Sequence, residues 1–396
     1  MDQEQSGVDG HSGHAAPAQG GGPLSPRRTC RRTLIAAGLG GIGVGALASV
    51  GAFTIPGLVR EDPVPGVAGP AKTGSWKVIW TASAFARSDR YWSPPAVAGG
   101  RVFVTGSDDR LRALDAASGA QVWSAPLEKL GPTLRPLGPL VVGDNVIGLG
   151  RHLTAFDSTT GTPRWHTDDT SGLAGLAVAA EPATVYTARG LSDHLAALDA
   201  ATGSVRWTVP LRAEAFAAGA GVVAAIEARA LVVVDAVTGT PRWRAETKAV
   251  PLNVHVCGDL VIALGYSDAE AFDLATGARL WARDDIQGDF ATASGDSVFL
   301  GGNTKRSGVV GSPTAVQALD RRTGRTRWKS SATPAPPVVA DGQVYVVSAR
   351  MLQALDAATG ALRGQCEIGS VESTVTIVDR TAYVYGGDGQ VYAVAG

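Results

Sequence analysis

The sequence predicts an all-β fold, an eight-bladed β-propeller with four-stranded blades, and three observations carry that expectation. The first is a repeat. Residues 113–123, Ala-Leu-Asp-Ala-Ala-Ser-Gly-Ala-Gln-Val-Trp, return in altered copies along the 396-residue chain. Each copy sets an aspartate three residues before a Thr-Gly or Ser-Gly pair: Asp115, Asp157, Asp199, Asp235, Asp273, Asp320 and Asp356. These aspartates step by 42, 42, 36, 38, 47 and 36 residues, and a period near 40 built from short apolar runs marks one blade per repeat. The second observation is a tryptophan four residues after the glycine, at Trp123, Trp165, Trp207, Trp243, Trp281 and Trp328; the seventh copy has Gly364 there. The third is that the two ends of this region are complementary. Residues 73–80, ending in Trp80, read as the second half of a motif without a first half, and residues 387–394 read as a third strand without a fourth. Joined, they complete an eighth blade and remove the free sheet edges of an open ring. Residues 74–396 divided among eight blades give about 40 each, matching the period.

Each motif reads as a hairpin between the last two strands of a blade. Leu111-Arg112-Ala113-Leu114 alternates with period two, as a strand with two unlike faces does. The Asp carboxylate accepts turn N–H groups, and the glycine takes the left-handed conformation that closes the turn. The strand that follows ends on a large flat ring. An outermost strand is a poor place for tryptophan unless the ring lies on the turn of the next blade, where Ala and Gly permit close approach. Such a ring buries about 150–250 Å², or about 4–6 kcal/mol as an upper bound. Trp80, Trp123, Trp165, Trp207, Trp243, Trp281 and Trp328 are assigned to this docking role, and Trp76 and Trp92 stand outside the series. Because Gly364 leaves blade seven without a ring, its contact with blade eight is expected to be the weakest in the circle.

Repeats of the form Ala-x-Asp-x-x-Thr-Gly-x-x-x-Trp, preceded by strands such as residues 93–104, resemble the pyrroloquinoline-quinone-type (PQQ-like) propeller repeats of the quinoprotein alcohol dehydrogenase-like superfamily. WD40 repeats share the period, but their blades end in Trp-Asp on the third strand, whereas here Trp follows Thr-Gly on the last. The resemblance implies a scaffold shared by quinone-dependent dehydrogenases, outer-membrane assembly lipoproteins and the extracytoplasmic domains of bacterial receptor kinases, and so leaves function open. In the dehydrogenases it implies a quinone beside an adjacent cysteine pair, a calcium ion held by carboxylate and amide oxygens, and an aspartate base. Here the three cysteines, Cys30, Cys257 and Cys366, are separate, the asparagines are Asn145, Asn253 and Asn303 alone, and seven aspartates are committed to turns. His152, His166, His194 and His255 are scattered over the blades, and no nucleophile elbow, phosphate loop or zinc signature occurs. The expectation is a non-enzymatic branch with no cofactor, no metal and no catalytic residues. A divergent quinone-dependent oxidoreductase, or the sensor domain of a receptor-kinase-like system, is the alternative.

The residues before the repeats divide into three segments. Residues 1–22 have almost no large apolar side chain and read as a disordered cytoplasmic head. Residues 23–60 hold Arg27, Arg28, Arg31 and Arg32 and then an uncharged run at residues 34–55, which is long enough to cross a bilayer. The arginines place the N-terminus in the cytoplasm and the propeller outside. The segment Cys30-Arg31-Arg32-Thr33-Leu34-Ile35 also resembles a twin-arginine signal, so a retained anchor and a cleaved, secreted form are both open, with the anchor preferred. Residues 61–73, rich in Pro and Gly, read as a linker, and residues 74–396 as the propeller.

Charge narrows the partners. The chain has 35 basic and 36 acidic side chains, and arginine outnumbers lysine 29 to 6. A near-neutral propeller argues against nucleic acid and polybasic membrane contact. The expected partner is a protein, a peptide or a cell-envelope component, met on the face formed by the loops entering each inner strand and those joining the second and third strands. Candidates there are Arg90, Tyr91 and Trp92 opening blade one, Asp285 and Asp289 opening blade six, and Lys305 and Arg306 in the insertion that lengthens one repeat to 47 residues.

Overall fold

The structure, a computed structural model, describes residues 76–396 except 85–93, 107, 130–137, 151, 168–172, 180–182, 190–193, 287, 303–315, 331–335, 349, 370–374 and 387. The head, anchor and linker segments, residues 1–22, 23–60 and 61–73, lie outside the described residues. Among the described residues there is no helix, and the strands form eight four-stranded antiparallel sheets. The chain is thus an all-β, eight-bladed propeller.

Blade one sets the pattern with strands Ala96–Ala98, Arg101–Thr105, Arg110–Asp115 and Gln121–Pro126, hydrogen-bonded in that order. Blades two to seven repeat it over residues 140–166, 173–209, 215–246, 253–283, 290–329 and 338–367. Because neighbours are antiparallel, the turns joining strands one to two and three to four emerge on one face, here the turn face. The loops joining strands two to three, and each blade to the next, emerge on the other, the loop face.

Apolar side chains on both faces of each blade pack against the neighbouring blades. Phe103, Leu111 and Ala113 of blade one meet Val146 and Phe156 of blade two, and Ala217, Ala224 and Val233 of blade four meet Val254, Val261 and Phe272 of blade five. Opposite each docking tryptophan, the third strand carries a small or β-branched residue: Ala113 faces Trp123, Ala155 faces Trp165, Ala197 faces Trp207, Val233 faces Trp243 and Ala271 faces Trp281. A register shift follows at once in every one of these pairs. The extra residue bends the outer strand and raises its local twist.

The bent strand lays its ring on the next blade. Trp80, Trp123, Trp165, Trp207, Trp243, Trp281 and Trp328 donate their Nε1–H to the carbonyls of Ala116, Ser158, Ala200, Ala236, Leu274, Arg321 and Ala357, at 2.7–3.2 Å. Each acceptor is the residue just after the next blade's turn aspartate. Beneath each ring lies that turn's glycine: Gly119, Gly161, Gly203, Gly239, Gly277, Gly324 or Gly360. All seven have φ between +67° and +74°, and a Cβ on any of them would sit 2.6–2.8 Å from the ring. Glycine is therefore required twice over, by the left-handed backbone and by the ring above it. The rings are not uniformly covered: Trp80, Trp281 and Trp328 are buried, and the other four are half-buried.

Blade eight combines the two ends of this region. Its strands are Val375–Val378, Thr381–Tyr385 and Gln390–Ala395, and its outer strand is Lys77–Ser83, which pairs antiparallel with Gln390–Ala395. Trp80 faces Ala393 and docks on blade one, closing the ring.

The seam between blades seven and eight departs from the expected weak contact. Gly364 stands where the docking ring belongs, opposite Ala354, and it is buried. Trp76, four residues before Trp80, occupies the place of the turn glycine. By position in the repeat, the two residue types have exchanged sides. Trp76 packs edge-on against Tyr345 of blade seven, with ring centroids 5.5 Å apart, and joins a cluster that includes Tyr345, Ile368, Val384 and Tyr392. Blades one, three and six pair a second-strand aromatic with their own tryptophan at a shallower tilt of 40–45°, through Phe103–Trp123, Tyr186–Trp207 and Phe299–Trp328. Trp76 also covers the backbone of Gly396. The reason is chemical connectivity: no turn joins the third and fourth strands of blade eight, so blade eight offers no turn glycine for a ring from blade seven.

Replacing one docking ring should cost less than a fully buried tryptophan would. For half-buried Trp207, Trp207→Ala is expected to lower stability by about 2–4 kcal/mol. Gly239→Ala should destabilise in the same direction, because its added Cβ meets Trp207 at 2.8 Å from a backbone with φ +72°. Urea midpoints measure both, and a loss below about 0.5 kcal/mol in either variant contradicts the docking account.

Candidate functional site

The turn face is built first for stability. In each motif Oδ1 of the aspartate caps its own turn: Asp199 accepts the N–H groups of Ala201 and Thr202, both at 2.9 Å, and the Thr202 hydroxyl at 3.1 Å. The other oxygen, Oδ2, holds an arginine seven residues on, one before the docking position. The pairs are Arg164–Asp157, Arg206–Asp199, Arg242–Asp235, Arg327–Asp320 and Arg363–Asp356, with the last four at 2.6–2.7 Å. The same guanidinium reaches the start of the blade's second strand, as in Arg164 to Asn145 Oδ1 at 2.8 Å, Arg206 to Thr184 Oγ1 at 2.8 Å and Arg327 to Ser297 Oγ at 3.2 Å. The Arg206 and Arg242 bonds hold the Asp199 and Asp235 carboxyls at about 2, and the Thr160 N–H with Arg164 does the same for Asp157. Blades one and five lack this arginine and carry Val122 and Leu280 instead. The recurring arginine was available in the repeat alignment but is invisible in any single motif.

The loop face carries the residues expected to meet a partner. Arg90, Tyr91, Trp92, Lys305 and Arg306 lie outside the described residues. Asp285 is exposed and forms a two-pronged pair with Arg283, at 2.7 and 2.6 Å, which lowers its carboxyl below the ordinary range. Asp289 is four residues on in the same connection, but its backbone faces inward: its N–H donates to Gly301 and its carbonyl meets His255. The structure thus places Asp285 and Asp289 on one loop without making them a joint site. Nearby, Tyr266 stands 73% exposed on the loop between strands two and three of blade five, and Val250 is exposed on the preceding connection.

Two buried polar groups sit beneath that face, and the sequence did not single them out as such. Glu270 is almost fully buried in blade five, accepts the Lys248 N–H at 2.7 Å and pairs with Arg279 Nε at 2.6 Å. His255, on the first strand of blade five, is completely buried, with Nε2 3.2 Å from the Asp289 carbonyl of blade six. Assigning the proton to Nε2 makes that ring nitrogen the donor. Burial pushes the His255 pKa down to about 4. His152 Nε2 lies 2.9 Å from Glu128 Oε2, and its ring lies edge-on to His166.

The donor set of the quinone-dependent dehydrogenases is not reproduced among the described residues. Cys257 is buried in blade five and Cys366 is half-buried in blade seven, both as free thiols. Burial pushes the Cys257 thiol up to about 12, the state of an inert core residue. No three His, Cys, Asp or Glu side chains among the described residues are grouped as metal ligands.

Blade architecture and docking rings together define a propeller of the quinoprotein-like class. More narrowly, the family described as outer membrane protein assembly factor BamB matches residues 71–309 and 312–396, and the chain belongs to that family. Outer membrane protein assembly factor BamB of Shewanella oneidensis is 24% identical over 380 residues, covering 85% of this chain and 93% of that protein. Among solved structures, BamB from Moraxella catarrhalis superposes with a TM-score of 0.62 at 16% identity, over 81% of this chain and 100% of its own. Quinohemoprotein alcohol dehydrogenase from Comamonas testosteroni gives 0.58 at 13% identity, over 81% of this chain and 76% of its own. At these identities the structural likeness is one of fold.

His255 makes the acid response of this fold specific. Its folded pKa is depressed, so the unfolded chain binds the proton more readily between about pH 6.5 and pH 4. Stability is full above pH 6.5 and is expected to fall by about 3 kcal/mol as pH drops to 4. The turn carboxyls act lower: their stabilisation is complete above about pH 4 and lost as pH falls through about 2. Urea midpoints of the wild type and His255→Gln between pH 7 and pH 4 test this. Equal slopes for the two proteins contradict the assignment of the upper window to His255.

Proposed function

We propose that the protein is a non-catalytic extracytoplasmic propeller that acts as a binding or scaffold module in the cell envelope. The observation that carries this reading is the family match across the propeller, whose described relative is an assembly factor. Cys257 and Cys366 lie in different blades as free thiols, unlike the adjacent pair that the dehydrogenase resemblance implies. The protein partner or envelope component is met on the loop face, where Asp285, Tyr266 and Val250 are exposed. Residues 34–55 are the proposed membrane tether, and the arginines before them set the propeller outside. On this reading the ring supplies rigidity and the loops supply recognition.

Two measurements test this together. Purified protein incubated with pyrroloquinoline quinone and calcium should retain no stoichiometric quinone and should not reduce a dye with alcohols as substrate. Protease added outside intact cells, after removal of any outer barrier, should digest or release the propeller. Retained quinone with turnover would establish the oxidoreductase class instead, and full protection until lysis would place the propeller in the cytoplasm.

A further inference from the structure

The repeat itself separates what the scaffold needs from what it does not. Every blade must close its hairpins and dock on its neighbour, so residues shared by the blades answer to the fold. A charged residue that departs from the shared pattern, and keeps a buried donor without a hydrogen-bond acceptor, is open to another use. Blade one contains such a departure. Where blades two, three, four, six and seven place an arginine beside the ring position, blade one has Val122. Where blades two, three and six start the second strand with Asn145, Thr184 and Ser297, blade one has Arg101.

Arg101 does not simply replace the missing ion pair. Asp115 Oδ1 is taken by the N–H groups of Ala117 and Ser118 and by the Ser118 hydroxyl, which lower the carboxyl below its ordinary range, and the Arg101 charge adds a smaller attraction. Arg101 Nε is buried and meets no acceptor. The residue as a whole is half-buried, and a buried N–H without an acceptor costs stability unless a ligand or water completes it. Arg101 lines a recess of about 190 Å³ on the turn face between blades one and two, together with Gly99, Gly143, Asp144, Ser158 and Thr159. Gly99 and Gly143 contribute no side chains to its lining. Whole-ligand pockets run about 300–1,000 Å³, so this recess has room for one group of a larger partner.

We propose that this recess is a subsite for the C-terminal residue of a peptide or protein partner. Arg101 would take the terminal carboxylate through paired N–H donors, the geometry guanidinium favours. Asp144 would accept the main-chain N–H of the same residue, and Ser158 and Thr159 complete the lining. A dianion such as phosphate is disfavoured because Asp144 shares the recess. The subsite deepens the binding-module reading by naming a ligand chemistry, and it lies on the opposite face from the loops. Failure of the subsite leaves loop-face binding untouched.

The test titrates the full propeller, followed by NMR or calorimetry, with N-acetyl-Ala-Ala bearing a free C-terminus, with its C-terminal amide, and with inorganic phosphate. The free acid should bind saturably and the amide and phosphate at least about tenfold more weakly, a difference of about 1.4 kcal/mol. Arg101→Gln should weaken the free acid by at least that factor without lowering the thermal midpoint. Asp144→Asn should reduce the preference for the peptide over phosphate. Equal binding of acid and amide, unchanged binding in Arg101→Gln, or no saturable binding of the free acid overturns the proposal.

Discussion

The contact on which the ring depends is a tryptophan ring laid on the turn glycine of the next blade. Each blade has its own sheet hydrogen bonds, and these end at the blade. What joins one blade to the next is apolar packing plus a set of directional bonds, and the one that recurs, at seven interfaces, runs from the indole Nε1 to the carbonyl after the turn aspartate. That bond fixes register: the ring must reach one particular carbonyl while lying over a residue without a Cβ. The aspartate prepares the turn by capping its N–H groups, and the arginine that follows neutralises the carboxylate and ties the hairpin to the second strand. Turn, ring and ion pair are thus one device, repeated with small edits.

The seam explains how a chain with two ends closes into a circle. Blade eight has no connection between its third and fourth strands, so its turn glycine cannot exist. Moving the ring to Trp76 and the space to Gly364 keeps one large and one small residue at the interface and preserves contact with the aromatic Tyr345 of blade seven. Because the outer strand Lys77–Ser83 closes the ring and also continues from the segment that precedes the propeller, the seam is where any pull on that segment would first act.

Much of this fold was legible in the sequence because repetition makes weak local signals add. One Asp-x-x-Thr-Gly segment is an ordinary turn; seven at a period near 40 specify a propeller, and the half-motif ending in Trp80 specifies its closure. The exchange at the seam was not read, although Trp76 lies four residues before Trp80 as each turn glycine lies before its tryptophan. Its meaning depends on which residue faces Tyr345, and spacing alone does not say that. Site residues were less legible for a related reason. Asp285 could be assigned to the loop face from its place in the repeat, but its engagement by Arg283, the burial of Glu270 and the reach of His255 to Asp289 depend on contacts between segments. Function was least legible, because a scaffold shared by enzymes and assembly factors puts its specificity in departures from the repeat. Arg101 is such a departure, and it emerges only when the blades are compared in space.

The central claim is that ring closure requires one tryptophan and one glycine across each interface, whichever side carries which. The direct measurement is a double-mutant cycle on Trp76→Gly and Gly364→Trp, read as unfolding free energies in urea. Each single change should destabilise, the first by leaving a void beside Tyr345 and the second by crowding two rings into one space. Together they restore the arrangement of the other interfaces, so the pair should recover a large share of the loss, with a coupling energy of about 1–3 kcal/mol. Additive losses would contradict the account, and would mean that the seam is held by its strand pairing rather than by the exchanged ring.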